Sequence, residues 1–338
     1  MDPWNLVSTS VRQQCDAKRA DEALAYVEQS RDFYRAAVAA SVSAARPLLL
    51  YYCFMNLVKA YCVTKDPGIS FSMAKHGLQE CLVPGGKEFL DAYLVVHAGV
   101  SNTNVFDAFC QVLTGINLPN TMRLDLVRLL PQVVPGHRLW AEAANEQERF
   151  INLLDIQFRH RRSTQTMWLS LDLFADDLSR LGVSHRRLLE ESGLGGDFRE
   201  VIGRHSKGKR ERRHIMHLES VRCPRYGGQP SDAVHLLVPV IKHRLWTTVA
   251  SVPPYRRYYL YLAPPADRGQ VIPQLLSIYA IMFYLGSITR YRPHHFDRIL
   301  NEAYGARILE FIDGQPLEFM YLMASEFAGR EVTKPSIV

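Results

Sequence analysis

The sequence predicts an α+β fold: a helical bundle formed by N- and C-terminal helices, with a mixed α/β segment inserted between them. Three observations predict it. Long apolar stretches with helical spacing lie near both ends of the chain. Runs in which apolar and polar residues alternate, the pattern of half-buried strands, lie in the middle. No internal repeat or low-complexity linker divides the chain. The expected boundaries are 1–86 for the N-terminal helices, 87–268 for the inserted segment and 269–338 for the C-terminal helices.

The elements follow in order. Leu24, Val27, Tyr34, Val38 and Val42 recur at helical spacing and predict a helix over 21–45. Pro47 then opens a second helix, since proline in the first turn loses no hydrogen bond. This second helix is apolar almost all round, so most of its sides are expected to be buried. A short helix over 74–82 is expected, stopped by Pro84-Gly85-Gly86. Residues 93–96 read as a strand, and 105–113 and 122–130 as helices. Period-two alternation over 150–158 and 167–174 predicts strands. Helices return over 176–181 and 184–191, the second with Ser184 as its N-cap. Residues 234–240, 245–252 and 258–262 read as strands. Helices over 271–288, 296–304 and 316–327 complete the chain.

Composition bounds the function classes. The 338 residues hold 40 Lys and Arg against 34 Asp and Glu, a net charge of +6, which permits an anionic partner without requiring one. The six cysteines form no C-x-x-C pair, so neither a disulfide framework nor a zinc site is legible, and a reducing, cytoplasmic location is expected. The first residues contain no apolar run of the signal-peptide kind. Residues 271–288 approach the length of a membrane span, but Pro273, Gln274, Ser277, Tyr279, Tyr284 and Ser287 make them a buried core helix. No membrane partner, cofactor or metal is expected. His214, His217, His235 and His243 find no acid or cysteine that completes a ligand set. Walker, G-x-S-x-G and kinase motifs are absent from the sequence.

Two groups of residues carry candidate chemistry. Tyr52, Asn56 and Lys59 share one face of the second helix by the three- and four-residue rule. In an apolar helix such a face either lines a polar cleft that holds an anion or forms an internal hydrogen-bond network. If Lys59 also faced Arg290, two converging cations would indicate an anion site. The second group is the basic run 204–214, in which Lys207, Lys209, Arg210, Arg212 and Arg213 are candidates for contact with a nucleic-acid backbone, or form a solvated loop. Arg159, Arg161, Arg162, Arg256 and Arg257 are satellites, with Tyr255, Tyr258, Tyr259 and Tyr261 as candidate stacking surfaces.

Three stretches resemble the bacterial YaaC-like family: QSRDFYRAA at 29–37, RPLLLYYCFMNLVKA at 46–60, and GSITRYRP at 286–293. The tyrosine pair followed by Asn-Leu-x-Lys-Ala and the Arg-Tyr-x-Pro after an apolar helix are the specific elements. A weaker resemblance is to the HEPN superfamily of helical-bundle proteins, carried by Tyr51, Tyr52, Phe54, Ala60 and His76. Many of its members are metal-independent RNases with an Arg-x(4–6)-His motif, and Arg290 and His295 fit that spacing. That resemblance implies a nucleic-acid-binding protein, or an RNase of a bacterial defence or stress system. In it, His295 acts as acid or base and Arg290 stabilises phosphate charge. It also implies RNA as partner, and a homodimer. The competing reading of Arg290, Arg292, His294 and His295 is structural, a helix end stopped by Pro293 with arginines on its last carbonyls. Under it the chain is a non-catalytic protein-interaction module with a protein partner.

Overall fold

The computed structural model describes residues 2–40, 43–98, 103–201, 214–242, 244–249 and 256–334. The architecture is mixed, with helices at both ends of the chain and small antiparallel sheets between them. The chain forms two compact units. The first takes Met1–Glu146, Val249–Arg256 and Gln274–Val338, and the second takes Gln147–Thr248 and Arg257–Pro273.

The first unit opens with α1 (Pro3–Gln14) and α2 (Ala17–Ala39). Each is capped by an aspartate: Asp2 accepts from the backbone N–H of Trp4 at 3.1 Å, and Asp16 from that of Arg19 at 3.0 Å. Next come α3 (Arg46–Lys65), β1 (Leu78–Leu82), β2 (Ala92–Val96), α4 (Val105–Thr114), β3 (Arg123–Asp125), α5 (Leu126–Leu129) and α6 (His137–Ala144). The second unit contains β4 (Phe150–Asn152), β5 (Asp155–Arg161), β6 (Thr166–Phe174), α7 (Ala175–Arg180), α8 (His185–Glu191), β7 (Phe198–Glu200), β8 (Ile215–Ser220) and α9 (Val234–Lys242). Strands β9 (Leu245–Val249) and β10 (Arg256–Tyr261) follow, and α10 (Gln274–Tyr291), α11 (Pro293–Leu300) and α12 (Gly305–Ala328) complete the first unit.

Helix α3 is the axis of the first unit. It packs along α2 and α10 and also touches α1, α4 and α12. Its apolar residues therefore find partners all round: Phe54 stacks on Phe319 of α12 at 3.9 Å, and Tyr61 meets Phe109 of α4 edge-on at 6.2 Å. The approach of α3 to α10 depends on Gly286. A Cβ there would lie 2.9 Å from the Tyr51 Cβ and 3.2 Å from the Pro47 carbonyl oxygen. Strands β1, β2 and β3 form an antiparallel sheet in that order, with Leu78 opposite Val96 and Tyr93 opposite Asp125.

Two buried polar groups tie the later helices into this unit. Arg307 of α12 is fully buried, donates to the Val133 carbonyl at 3.1 Å and pairs with Glu310. The next two carbonyls, Val134 and Pro135, accept from Gln274 at 2.9 Å and Gln315 at 3.4 Å. Gly136, at φ +90°, leaves the space that the Arg307–Glu310 pair fills. Glu318 is also buried, and both of its oxygens lie 3.0–3.1 Å from the Val249 N–H.

In the second unit, β5, β6, β8 and β7 form a four-stranded antiparallel sheet in that order. Leu169, Leu171, Leu173, Met216 and Leu218 pack into its core with Leu178, Leu188 and Phe198. Opposite one another on β6 and β8 are Asp172 and His217, bonded at 2.8 Å. A second sheet has the order β4–β10–β9.

Several expected elements change. Residues 78–82 are a strand rather than the end of a helix over 74–82, because their backbone pairs with β2. The expected helix over 122–130 is β3 followed by the single turn of α5. The run 150–158 breaks between Asn152 and Asp155, and its halves join different sheets. Residues 234–240 fall in helix α9, which buries Leu237 and Ile241 four apart and holds Pro239 inside it. So short an apolar run does not separate strand from helix by pattern. The last helix begins at Gly305 and carries Pro316 in its interior. Among the described residues no helix is long and apolar enough to cross a membrane.

Two consequences are measurable. Gly286→Ala should destabilise the protein by about 1–3 kcal/mol through overpacking, read as a lower denaturation midpoint with an unchanged slope. Burial pushes the Glu318 carboxyl from 4.5 up to about 8. The folded chain therefore binds more protons than the unfolded chain between those values, and this contribution to stability is lost as pH rises through them. Glu318→Gln keeps an acceptor for Val249 and should flatten that loss, checked by urea denaturation at pH 5 and pH 9.

Candidate functional site

The candidate site lies wholly in the first unit, where α3, α10 and the segment before β1 meet. Helix α3 presents Tyr52, Asn56 and Lys59 on one face. The α3–α10 approach at Gly286 sets Tyr51 and Tyr52 beside the end of α10. There Arg290 donates from Nη1 to the Tyr52 hydroxyl at 3.1 Å. Phe33 of α2 stacks on the Tyr52 ring at 5.3 Å and 24°.

His76 completes the cluster. Its loop is pinned by backbone bonds: Lys75 N–H donates to the Thr103 carbonyl, and the N–H groups of Val105 and Phe106 donate back to Lys75 and His76. Gly77, at φ +82°, makes the turn, and a Cβ there would lie 2.9 Å from that of Asn104. So held, His76 places Nδ1 2.5 Å from the Tyr51 hydroxyl, and its ring packs on Phe283 of α10. Nδ1 is occupied by that contact, which leaves Nε2 for a ligand.

The electrostatics are one-sided. Burial of the His76 ring, and then the positive charges of Lys59 and Arg290, hold its pKa below the usual histidine value. Burial also lowers the Lys59 ammonium pKa. Lys59 lies over the Tyr26 ring at 5.5 Å, and Arg290 over its neighbour Tyr291 at 4.9 Å. Among the described residues no carboxylate pairs with Lys59 or Arg290. Arg292, two residues on, shows the contrast, since it pairs with Glu80 at 3.1 Å. Glu22 acts on Tyr26, the ring under Lys59, but among the described residues no carboxylate pairs with Lys59 or Arg290, an arrangement suited to an anion.

His295 occupies another environment. Pro293 starts α11, which turns His295 inward to 4% exposure, and its Nε2 meets the Tyr284 hydroxyl at 3.0 Å. The structure therefore brings Arg290 together with Tyr52 and, electrostatically, with His76 and Lys59, while His295 bonds to Tyr284. Burial, followed by Arg292, Arg298 and His294, lowers the His295 pKa.

The model of the YaaC-like protein family matches residues 3–327. This chain belongs to that family. No curated protein matches the chain, and no solved structure does.

The other sequence candidates fall elsewhere. Lys207, Lys209, Arg210, Arg212 and Arg213 lie outside the described residues, as do His243 and Tyr255. Of the basic satellites, Arg159 lies 4.0 Å from Asp172, Arg161 lies over Trp168, and Arg256 is 3.8 Å from Glu331. Tyr261 is a core residue against Phe150 and Trp246. His76 was visible in the sequence only as the histidine after the aromatic helix. Nothing in the local pattern placed it beside Lys59 and Arg290, because a loop bends it back onto α3.

Lys59→Met and Arg290→Ala should each raise the His76 pKa toward 6.5, observed by NMR titration of its ring protons. An unmoved titration in both variants would show that the three groups do not share one field.

Proposed function

We propose that the protein binds nucleic acid, with a backbone phosphate held by Arg290, Lys59, His76 and Tyr52. One observation carries this reading: Arg290 bonds Tyr52 on the α3 face that also carries Lys59, with no carboxylate paired to either cation among the described residues. Unpaired cations of this kind cost stability where they are partly buried, and a phosphate offsets that cost through charge-assisted bonds to guanidinium and ammonium groups. Aromatic rings at the same place, among them Tyr26, Phe33 and the exposed Tyr291, suit the bases of a single strand. The chain's net charge of +6 acts in the same direction.

A second reading, metal-independent RNA cleavage, is favoured by the state of His76. A lowered pKa keeps its imidazole neutral near pH 7, the form that takes a proton from a ribose 2′-hydroxyl, and Arg290 is in place for the phosphate charge. In this arrangement His76 rather than His295 is the group beside Arg290.

Binding of a fluorescent single-stranded RNA should weaken linearly with log salt, and more gently in Arg290→Ala and Lys59→Met, each of which removes about one phosphate contact. His295→Ala should leave binding unchanged if folded. In EDTA, cleavage by wild type that His76→Ala and Arg290→Ala lose, with circular dichroism unchanged, would establish the nuclease. Absence of RNA binding at low salt would turn attention to a protein partner instead.

A further inference from the structure

Tyr51 is buried, at 5% exposure, beside an exposed His76, and their polar atoms meet: the phenol oxygen lies 2.5 Å from Nδ1. One hydrogen lies between them, and the atom that owns it decides what His76 shows a ligand. The Tyr51 side chain is firmly placed. Its ring meets Tyr279 edge-on at 6.0 Å and Phe283 at 5.3 Å, both on α10, and its Cβ lies against Gly286. Two further groups come near its hydroxyl: the Met55 thioether at 3.6 Å, a weak acceptor, and the fully buried Tyr279 hydroxyl, which stands outside hydrogen-bonding geometry. Neither competes with an imidazole nitrogen. Burial raises the Tyr51 pKa, so the phenol keeps its hydrogen at neutral pH and has it to give. Were Nδ1 the donor instead, the phenol's own hydrogen would be left to the sulfur.

We infer that Tyr51 is a positioning residue: it donates to Nδ1 of His76 and so fixes the neutral ring with its hydrogen on Nε2. Among the described residues Nε2 makes no hydrogen bond, so this N–H is open to a ligand. It can donate to an oxygen that carries no hydrogen, as each free oxygen of a phosphodiester does. It cannot take a proton from a ribose hydroxyl, because the one lone pair in the ring plane is already bonded to Tyr51. The inference rests on the anion site proposed above and narrows its ligand chemistry to a phosphodiester bound intact. The low His76 pKa keeps the ring neutral under both readings of that site. The tautomer separates them, in favour of binding.

The tautomer can be read without a ligand, by nitrogen-15 NMR of the full chain labelled at histidine, above the pH at which His76 titrates. His76→Gln identifies the resonances. Nε2 should carry the signature of a protonated nitrogen, and Nδ1 that of a hydrogen-bonded lone pair. Tyr51→Phe, which keeps the ring packing, should move the Nδ1 resonance toward that of an unbonded nitrogen. A protonated Nδ1 in wild type, or His76 resonances indifferent to Tyr51→Phe, would overturn the inference and leave the anion site standing. The donor role is tested with the fluorescent single-stranded RNA at fixed salt. His76→Ala should bind about ten-fold more weakly, the loss of one charge-assisted hydrogen bond. His76→Gln, whose amide N–H stands near the place of Nε2–H, should recover most of that loss. Cleavage in EDTA that depends on His76 would also overturn the inference. RNA bound by none of these chains would remove the anion site, and with it the ligand of the Nε2 donor.

Discussion

The close approach of α3 and α10 is the constraint on which the candidate site depends. Gly286 admits the backbone of α3 at Pro47 and the Cβ of Tyr51 to within contact distance. A larger residue would push the two helices apart and draw the Tyr52 hydroxyl away from the Arg290 guanidinium. The α3 helix can be held this closely because it is apolar nearly all round, so α2, α4, α10 and α12 all gain by packing on it. Within its middle turns the face carrying Tyr52, Asn56 and Lys59 departs from that composition; Tyr52 meets the polar end of α10, and the neighbouring Tyr51 meets the His76 loop.

Charge is handled in two different ways within the first unit. Where a cation is fully buried for structural reasons it is matched: Arg307 has Glu310 and the Val133 carbonyl. Burial lowers the Arg307 pKa to about 10, still far enough above neutrality to keep it charged. At the candidate site no carboxylate pairs with Lys59 or Arg290 among the described residues, and after burial their fields further lower the His76 pKa. A packed protein gains nothing in stability from leaving Lys59 half-buried without a carboxylate. That contrast separates the site from the many structural polar contacts elsewhere in the fold, including Tyr284–His295, which satisfies a buried histidine inside the core.

Elements with one clear period are legible in the sequence, the short strand β2 and helix α8 as well as the long helix α3, whereas α1 and the first half of α12 are not. The helices α2, α3, α4 and α10 announce themselves because ten or more residues carry one period, although α2 stops at Ala39, before the expected end at 45. The strand β1 and the helix α9 differ from the expectation because runs of five to nine residues fit either period, and for β1 the partner strand decides. Of the site, the Tyr52–Asn56–Lys59 face follows from helical geometry, and Arg290 from the Arg-Tyr-x-Pro element. His76 depends on a loop folded back by bonds to residues 103–106, a long-range matter on which local spacing is silent. The inward turn of His295 depends on Pro293 starting a new helix, which changes the direction of the chain within three residues.

The Arg307 arrangement has a bearing on how sequences of this fold can diverge. A Cβ at position 136 would collide with both the Glu310 carboxylate and the Arg307 guanidinium. The side chains that accompany this pair, Gln274 and Gln315, bind backbone carbonyls at 134 and 135, not side chains. Val133 and Val134 give only their carbonyls to these bonds, so other apolar side chains that fit the same buried space can replace them. Positions 136, 307 and 310 are not replaceable in this way: a glycine lost at the first is tolerated only by a chain that has already given up the buried ion pair. Those three positions should be inherited as a block, while the buried residues before them exchange only among side chains of like size and polarity.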